Sequence, residues 1–555
     1  MGSDQVVLSY TGLDGRRRST RLRFDPVPAA LDVTGAEFVF DLGPNEACKV
    51  LVEMTCDPGA AQTASLSRAF FTAVRDSRRA LRRSLSRATA IRTSNELFDE
   101  LVRRSVSDLY MLMTDTSEGP YPYAGIPWFS TIFGRDALIT ALETLWLDPE
   151  IARGVISFLA VNQAMRVDPE SDAEPGKILH EVRHGEMAEL GEVPFRWYYG
   201  SIDSTPLFVV LCGAYLERTG DVATIRRVWP HVAAALEWIE TWGDRDGDGF
   251  VEYERARQSG LANQGWKDSH DSIFHADGTL ATGPIALCEV QAYVYGAYAA
   301  AASMADALGD AARARALEGK AGALRRRFDA CFFDEALGTY VIALDGDKRP
   351  CRVRSSNAGH ALFTGIAYEE RAESVARGLM AARSFTGWGV RTVAAGAARY
   401  NPMSYHNGSV WPHDNAIVAA GLARYGRRDA AARILEGLFD ASVFMDLKRL
   451  PELFCGFPRQ RSRGPTFYPV ACIPQSWAAA APLSLLQSCL GLRFDPKEGV
   501  IGFDHPILPK FLGGVVLTGV GLCGTSVDIE VRGSGSSVVV GVLRRDGATK
   551  VVCML

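Results

Sequence analysis

The chain has 555 residues, of which 47% are hydrophobic and 23% charged, with a formal net charge of −5 and a pI near 6.1. It is too long for one ordinary core and has the composition of a globular protein with two or three domains. The acidic balance argues against a nucleic-acid binder, which would show a basic excess or a basic stripe.

Eleven cysteines are scattered without a Cys-x-x-Cys pair or a Cys/His metal spacing. Several lie in apolar runs, among them Cys212, Cys288 and Cys489, and are predicted to be reduced and buried. No secretory signal is recognised, and no apolar run is long enough to cross a bilayer. We therefore expect a soluble, cytoplasmic protein with no metal, no other cofactor and no membrane partner, and we leave homo-oligomerisation open.

The first part of the chain alternates and turns as β-strands do, and we assign residues 1–62 to a small N-terminal β-domain. The predicted strands lie at 6–10, 20–24, 37–42 and 49–54. An arginine-rich helical pattern follows from Leu66 to Ile91, and residues 63–91 are predicted to form a linker helix. Strand patterns return in the last segment, 496–555.

Residues 92–495 are predicted to be helical, because apolar residues recur there at three- and four-residue spacing. The predicted helices are 94–113, 134–147, 149–165, 204–218, 221–242, 285–308, 311–332, 357–365, 369–383, 410–425, 427–444 and 475–490. Short and long connections alternate between them. This pattern favours two concentric rings of six helices, an (α/α)6 toroid, so the predicted fold class is mainly α.

The long connections are rich in aromatic and charged residues, which is typical of functional loops. They span 115–133, 168–203, 244–283, 384–409 and 445–474. The first loop contains Trp128 and leads to Arg135 and Asp136 at the start of a helix. An aspartate there is either an N-terminal helix cap or a carboxylate that holds sugar hydroxyls.

The second loop contains His180, Glu181, His184 and Glu186, whose spacing is not that of a zinc protease. The third begins with Asp244, Asp246 and Asp248, which resemble the opening of a calcium loop. A calcium loop of this type needs a glutamate at its twelfth position, where Arg255 stands here, while Glu252 falls earlier. We interpret this segment as a structural turn and leave calcium binding open.

The third loop also contains Gly265-Trp266-Lys267-Asp268, an unusual composition for a connector. The indole offers a flat apolar surface, and Asp268 offers a proton. In the fifth loop, Glu452 follows a proline among apolar residues, where a carboxylate is either paired at the surface or used in chemistry. Asp268 and Glu452 come from separate loops that we expect on the same rim. Two opposed carboxyl groups are what glycosidic hydrolysis requires, so these residues are the candidate catalytic pair.

The order of four motifs resembles the bacterial amylo-α-1,6-glucosidase family, the relatives of the glucosidase half of glycogen debranching enzyme. This family is related to the mannosylglycerate and glucosylglycerate hydrolases and to processing α-glucosidase I. The motifs are Phe133-Gly134-Arg135-Asp136, Gly265-Trp266-Lys267-Asp268-Ser269, the run from Tyr405 to Asn415, and Leu450-Pro451-Glu452-Leu453. They cover most of residues 92–495 in order.

The resemblance implies a six-hairpin glycosidase barrel and an inverting α-glycosidase that releases terminal glucose. Asp268 would be the general acid and Glu452 the general base, while Arg135 and Asp136 would grip the sugar. The expected pocket residues are Trp128, Trp266, His406, Trp411 and Gln475, and the same clusters supply the further substrate-binding candidates His180, Glu181, Lys267, Trp388, Arg391 and Asn407. Family members usually carry a larger N-terminal β-domain, so a short α-glucoside suits this chain at least as well as glycogen does.

Two alternatives remain at this stage. A glycoside phosphorylase on a related barrel would use phosphate in place of water and would need no general base, which the presence of Glu452 argues against. A sugar-binding barrel without turnover would not need two candidate catalytic carboxyls. The preferred interpretation is hydrolysis of an α-glucoside, with the two carboxyls about 6.5–9.5 Å apart.

Overall fold

A computed structural model describes residues 3–56, 65–534 and 537–554. The chain packs as two compact units, the first formed by Met1–Ser86 with His184–Arg196 and the second by Arg87–Arg183 with Trp197–Leu555. Among the described residues, no helix combines the length and the apolar character that a bilayer span requires.

The twelve helices predicted within residues 92–495 are present to within a few residues. The linker helix ends at Leu85 and not at Ile91, because Ala90–Thr93 forms a strand, and the short helix Glu186–Glu189 was not predicted. In chain order the described helices are α1 Leu66–Leu85, α2 Glu96–Met111, α3 Gly134–Thr144, α4 Pro149–Val161, α5 Glu186–Glu189, α6 Ser204–Thr219, α7 Val222–Trp238, α8 Cys288–Ala307, α9 Ala311–Phe332, α10 Asn357–Thr364, α11 Glu369–Met380, α12 Pro412–Arg424, α13 Arg428–Ser442 and α14 Ser476–Leu490. A π-helical turn, Ile239–Gly243, follows α7, and a 3₁₀ turn spans Asp446–Lys448.

Local signals in the sequence fix many of these helix ends. Asn95 caps α2 by accepting hydrogen bonds from two backbone N–H groups, and Asp148 caps α4, which has a proline in its first turn. Gly220, Gly365 and Gly491 end α6, α10 and α14 in the left-handed conformation that glycine adopts without steric cost.

The described strands are short and fall into several sheets. They are β1 Gln5–Thr11, β2 Arg17–Asp25, β3 Ala30–Leu31, β4 Ala36–Glu37, β5 Leu51–Cys56, β6 Ala90–Thr93, β7 Met113–Thr116, β8 Gly119–Pro122, β9 Ala286–Leu287, β10 Phe333–Asp334, β11 Thr339–Tyr340, β12 Ala343–Leu344, β13 Pro350–Cys351, β14 Leu492–Asp495, β15 Val500–Asp504, β16 Gly514–Leu522, β17 Thr525–Ser534, β18 Ser537–Asp546 and β19 Lys550–Met554.

In the first unit, β1, β2 and β5 form an antiparallel sheet in the order β1-β2-β5. The strand predicted at 37–42 is wrong, because only Ala36–Glu37 pairs there, with β3. In the second unit, β18-β17-β16-β6 form a four-stranded sheet and β14-β15-β19 a three-stranded one. The predicted C-terminal strands are therefore confirmed.

Six helices of the second unit contact one another in a cyclic order, α3-α6-α8-α10-α12-α14 and back to α3. Each also contacts a helix of a second set, which consists of α2, α4, α7, α9, α11 and α13. Helices α12 and α14 are buried on nearly all sides, as expected for helices surrounded by protein, whereas α11 buries one face only. Five helices of this ring, α3, α6, α8, α12 and α14, follow the five long loops. The candidate site residues lie in those loops or at the helix starts that follow them.

Candidate active site

Arg135 is the most heavily bonded side chain among the candidates. It lies in the first turn of α3, and its side chain is almost fully buried. One terminal nitrogen lies 3.2 Å from an oxygen of Asp203 and donates to the backbone oxygen of Gly265 at 3.1 Å. The other donates to Oδ2 of Asp268 at 2.9 Å. The guanidinium therefore joins the residue before α6 to the third long loop.

Asp268 faces this guanidinium from the third loop, with 28% of its side chain exposed. Burial raises the pKa of Asp268 above its ordinary value, and the charge and hydrogen bond of Arg135 oppose that rise. The pKa of Asp268 is raised overall, which favours retention of its proton. A partly exposed carboxyl with a raised pKa suits a proton donor.

Glu452 is held by neutral donors and not by a cation. It is 2% exposed, the Tyr405 hydroxyl donates to Oε1 at 2.5 Å, and the backbone N–H of Cys472 donates to Oε2 at 2.9 Å. Burial raises the pKa of Glu452 to about 7, these two hydrogen bonds oppose the rise, and the charge of Asp268 adds to it. Glu452 and Asp268 thus interact electrostatically across the site.

Asp136 is a third carboxyl in the same electrostatic environment. Burial raises its pKa to about 7, Arg135 opposes the rise, and the charges of Glu452 and Asp268 add to it. The Nε2 of Gln475 donates to Oδ2 of Asp136 at 3.3 Å. Three carboxyl groups from three separate segments therefore share one region.

The backbone at Gly125 lies directly against Gln475. A Cβ atom at Gly125 would lie 1.6 Å from Oε1 of Gln475, so no other residue fits there without moving the amide. Oε1 itself is buried and has no hydrogen-bond partner within the described chain. Gln475 is therefore positioned by close backbone packing and retains an acceptor for a hydroxyl group.

Trp266, His406 and Trp411 form an aromatic cluster behind Asp268. The rings of His406 and Trp411 stack with centroids 5.1 Å apart, and Trp266 packs edge-on against both at 5.7 Å. Trp266 and Trp411 are each 1% exposed, so their indole rings support the site from within the protein and present no open ring face.

The tautomer of His406 follows from its contacts. The backbone N–H of Ser269 donates to Nδ1 at 3.3 Å, so Nδ1 is an acceptor and Nε2 carries the hydrogen. Burial, with the charges of Lys267 and Arg135, lowers the pKa of His406 well below its ordinary value. His406 is therefore a neutral hydrogen-bond donor.

His180 and Glu181 come from the second loop. Nδ1 of His180 is buried without a hydrogen-bond partner, and burial lowers the pKa of this imidazole well below its ordinary value. Burial raises the pKa of Glu181 to about 7, Arg183 opposes the rise, and the charge of Asp268 adds to it. The structure therefore brings Glu181 into the electrostatic environment of the carboxyls.

Trp128 is the exposed aromatic side chain among the candidates, at 57%. Its Nε1 donates to the backbone oxygen of Val470 at 3.0 Å, which ties the first loop to the fifth. Asn407 is buried, donates from Nδ2 to the backbone oxygen of Asp271 at 3.2 Å, and has an unpartnered Oδ1. Trp128 offers an open ring face, whereas Asn407 offers an acceptor oxygen.

The geometry gives three candidates a framework role in place of the expected ligand contact. Lys267 donates to Ser356, Asn357 and the backbone oxygen of Thr392, so all three hydrogens of its ammonium have acceptors. Arg391 is 3% exposed and donates to three backbone oxygens, those of Ala382, Arg383 and Gly456. Trp388 is 2% exposed, and the Arg459 guanidinium lies 4.4 Å from its ring centroid.

Two side chains that contact the charged candidates directly are absent from the sequence-based candidates: Tyr405 donates to Glu452, and Asp203 pairs with Arg135. Tyr405 lies in the motif that supplied His406 and Asn407, and its proximity to Glu452 arises only when the fourth and fifth loops meet. Asp203 precedes α6 without any distinctive neighbour, and the buried Arg135 is the observation that identifies it. Residue type alone carried no signal for either contact.

Among solved structures, the GH78 family rhamnosidase of Bacillus sp. GL1 is 18% identical with a TM-score of 0.59, covering 84% of this chain and 43% of its own. A sialidase is 13% identical with a TM-score of 0.60, covering 83% of this chain and 41% of its own. The chain thus spans about two fifths of the length of these two proteins.

The GH63 mannosylglycerate hydrolase of Thermus thermophilus, in complex with Tris and D-glycerate, is 17% identical with a TM-score of 0.51, covering 69% of this chain and 99% of its own. Identities this low show similarity of fold alone. A search of curated proteins by sequence gives no match.

Two family models match the sequence itself. The N-terminal domain of (some) glycogen debranching enzymes matches residues 1–53. The mannosylglycerate hydrolase MGH1-like glycoside hydrolase domain matches residues 132–446, more than half of the chain. The resemblance to the debranching and mannosylglycerate hydrolase enzymes is confirmed, and the chain belongs to the MGH1-like glycoside hydrolase family.

Proposed function

We propose that this glycoside hydrolase releases terminal α-linked glucose from an oligosaccharide or a small glucoside, with inversion at the anomeric carbon. One observation carries the proposal: Ser269, next to Asp268, donates to His406, and Tyr405, next to His406, donates to Glu452, so the two carboxyls flank the same pair of residues. Two carboxyls with different environments supply the acid and the base of glycosidic hydrolysis.

Asp268 acts as the general acid. Its proton goes to the glycosidic oxygen as the bond between that oxygen and the anomeric carbon breaks. Burial raises the pKa of Asp268, which favours retention of its proton. Once the proton has left, Arg135 at 2.9 Å stabilises the carboxylate that forms.

Glu452 acts as the general base on the opposite side of the sugar ring. The water oxygen attacks the anomeric carbon while its proton passes to Glu452, and a β-sugar results. Tyr405 and the N–H of Cys472 fix the carboxylate, and each uses one oxygen lone pair. The remaining lone pairs are free to accept a proton.

The groups around the two carboxyls bind the sugar that is cleaved. Asp136, the free acceptor on Gln475 and the neutral Nε2–H of His406 provide donors and acceptors for hydroxyl groups. Trp128 provides an exposed ring face. His180, Glu181 and Asn407 complete the proposed polar lining.

We further propose that residues 92–495 form an (α/α)6 toroid with the site at the N-terminal ends of its inner helices. The cyclic contacts of α3, α6, α8, α10, α12 and α14 support this architecture. The proposed remainder is an N-terminal β-domain at 1–62, a linker at 63–91 that contains α1, and a C-terminal β segment at 496–555. Eleven free cysteines favour a reducing compartment, so we propose a cytoplasmic enzyme.

The substrate is the finer part of the proposal. Mannosylglycerate hydrolase structures carry D-glycerate or glucose as bound molecules. Mass-spectrometric assay of maltose, isomaltose, trehalose, sucrose, glucosylglycerate, mannosylglycerate and a limit dextrin will define the glycone and the linkage. Release of mannose with no release of glucose would contradict the glucosidase assignment.

Proton NMR of a fresh hydrolysate tests the mechanism. We expect the β-anomer to appear first and to mutarotate to the equilibrium mixture. An initial α-anomer would overturn inversion. Sugar release that requires inorganic phosphate would replace hydrolysis by phosphorolysis, and binding without product would identify a sugar-binding barrel.

A further inference from the structure

An acidic cluster lies in the second unit, directly after the π-helical turn Ile239–Gly243. One carboxylate oxygen from each of Asp244, Asp246 and Asp248 lies within 4.8 Å of the others. Over residues 3–56, 65–534 and 537–554, this is the single group of three acidic, cysteine or histidine side chains spaced to hold a metal ion. We call it the Asp244 cluster.

The ammonium group of Lys348 reaches into the Asp244 cluster. Its Nζ lies 3.0 Å from Oδ2 of Asp246 and 2.8 Å from Oδ2 of Asp248, and it also contacts Oε1 of Glu252. Lys348 lies in the turn between β12 and β13, far along the chain from the acids that it contacts. Burial raises the pKa of Asp246, but the hydrogen bond from Lys348 and nearby backbone N–H groups hold it below its ordinary value.

The buried side chain of Glu252 distinguishes the Asp244 cluster from a group of exposed acids. Its side chain is 1% exposed, and Oε2 is buried without a hydrogen-bond partner while Oε1 contacts Lys348. A second buried oxygen, Oδ1 of Asp244, is also unpartnered. Burying a carboxylate is costly unless a cation pairs with it, and Lys348 is the cation that contacts Glu252 here.

We propose that the Lys348 ammonium is a tethered cation that takes the place of a divalent ion in a calcium-type loop. The loop has aspartates at its first, third and fifth positions and a glycine, Gly249, at its sixth, and Glu252 stands at the ninth. The glutamate of the twelfth position is missing, since Arg255 stands there. Four carboxylates supply the oxygen ligands that Ca²⁺ prefers, and one lysine now neutralises part of their charge.

This tethered cation stabilises the segment that carries the proposed acid. Glu252 is followed by Tyr253, whose hydroxyl donates to Oδ1 of Asn263. Nδ2 of Asn263 donates to the backbone oxygen of Ser269 at 2.6 Å, next to Asp268. The Asp244 cluster is therefore connected through two buried side chains to the Asp268 segment, and Lys348 anchors that segment without a bound metal.

The proposal is tested by removing the ammonium and supplying metal. We expect Lys348→Met to have a lower thermal midpoint than wild type in EDTA, and Ca²⁺ to restore it. The same variant should bind one Tb³⁺ ion, with luminescence sensitised by Trp242 and displaced by Ca²⁺. Wild type should show neither Tb³⁺ luminescence at this site nor a Ca²⁺-dependent midpoint.

Three further variants separate the tethered cation from a general effect of charge. Lys348→Arg keeps the cation and should behave as wild type. Lys320→Met removes another lysine that is paired with an acid, Glu240, and should gain no Ca²⁺ response. Glu252→Gln combined with Lys348→Met should lose most of the Ca²⁺ response that the single variant gains.

Two outcomes would overturn the proposal, and neither depends on the glycosidase assignment. The first is tight Ca²⁺ or Tb³⁺ binding at this loop in wild type, since Lys348 would then not be the resident cation. The second is a Lys348→Met protein that binds no ion. If Lys348→Met does not fold in EDTA, its refolding is compared with and without Ca²⁺. Refolding that depends on Ca²⁺ would support the proposal, and no gain from Ca²⁺ would overturn it.

Discussion

The two candidate catalytic carboxyls lie in contrasting environments. Asp268, on the loop 244–283, is partly exposed and lies 2.9 Å from the guanidinium of Arg135. Glu452, on the loop 445–474, is nearly fully buried and is held by a tyrosine hydroxyl and a backbone N–H. Burial raises the pKa of both carboxyls, but the opposing interaction comes from a cation at Asp268 and from neutral hydrogen-bond donors at Glu452. This difference predicts separate responses to mutation and to pH.

The largest expected effect is on turnover. Asp268→Asn and Glu452→Gln should each lower kcat by about 10²–10⁴-fold on a natural glucoside, because each removes one partner of acid–base catalysis. With α-glucosyl fluoride, whose leaving group needs no proton, Asp268→Asn should lose far less activity than Glu452→Gln.

Steady-state kinetics on both substrates checks this prediction. Asp115→Asn and Glu498→Gln change exposed carboxyls elsewhere and should retain wild-type kcat. Near-normal turnover in either site variant would remove its residue from the mechanism. If Asp268→Asn and Glu452→Gln lose equal activity on α-glucosyl fluoride, the acid and base roles are not divided as proposed.

The next largest effect concerns the guanidinium on the Asp268 side. Arg135→Met leaves Asp203 buried without its cation, so we expect the free energy of unfolding to fall by about 3–5 kcal/mol. Arg153→Met removes an exposed ion pair with Glu150 and should cost about 1 kcal/mol or less. Chemical denaturation measures both, and equal costs would show that burial of the Arg135 pair has no special weight.

On the Glu452 side, the expected effect is a pH-dependent change in stability. The pKa of Glu452 is about 7 in the folded protein, above its ordinary value of 4.5, so the folded state binds this proton more tightly. The resulting stability is fully present below pH 4.5 and is lost as the pH rises through 7. Above pH 7, ionisation of the buried Glu452 lowers the free energy of unfolding by up to about 3 kcal/mol.

Glu452→Gln imitates the protonated acid and should escape this loss. We expect the variant to be more stable than wild type at pH 8, and the difference to shrink at pH 5. Thermal midpoints measured across this range test the prediction. A difference that stays constant with pH would mean that Glu452 is not the buried titrating group.

The smallest expected effect is a shift of one limb of the pH–rate profile. Tyr405→Phe removes a donor to the charged form of Glu452, so the pKa of Glu452 should rise by about one unit. If Glu452 is the base, the ascending acid limb of the kcat/KM profile moves to higher pH. If Glu452 were the acid, the descending limb would move instead.

Tyr468→Phe is the matched control for this shift. Its ring lies 5.6 Å from that of Tyr405, and its hydroxyl makes no hydrogen bond with Glu452. We expect its pH–rate profile to follow that of wild type. A profile of Tyr405→Phe that also remains unshifted would show that the hydroxyl does not control the titration of Glu452.

The contrast between the two loops also shows how far the sequence could lead. Helical periodicity and caps such as Asn95 and Asp148 are local, and all twelve predicted helices are present with ends within a few residues. The predicted strand at 37–42 is wrong, because alternation of apolar and polar residues indicates which side chains face the surface but does not indicate a strand to pair with. Motif order correctly indicated the family.

The sequence could not predict the direction in which each polar side chain points. Lys267 and Arg391 are charged residues in a functional loop, which favours a ligand contact, yet their donors are taken by protein acceptors. Tyr405 and Asp203 gave no such signal, yet Tyr405 contacts Glu452 and Asp203 contacts Arg135. Whether a polar group faces a ligand or the framework depends on which distant loop packs against it.

By itself, the sequence determined the helices, the long loops, the carboxyls that those loops contain and the family. These features follow from local periodicity, capping and motif order, which need no knowledge of distant contacts. Only the tertiary structure decided that Asp268 faces a guanidinium and that Glu452 faces a hydroxyl. The pKa of a carboxyl is set by its burial and by its neighbours within a few ångströms, and the fold supplies both.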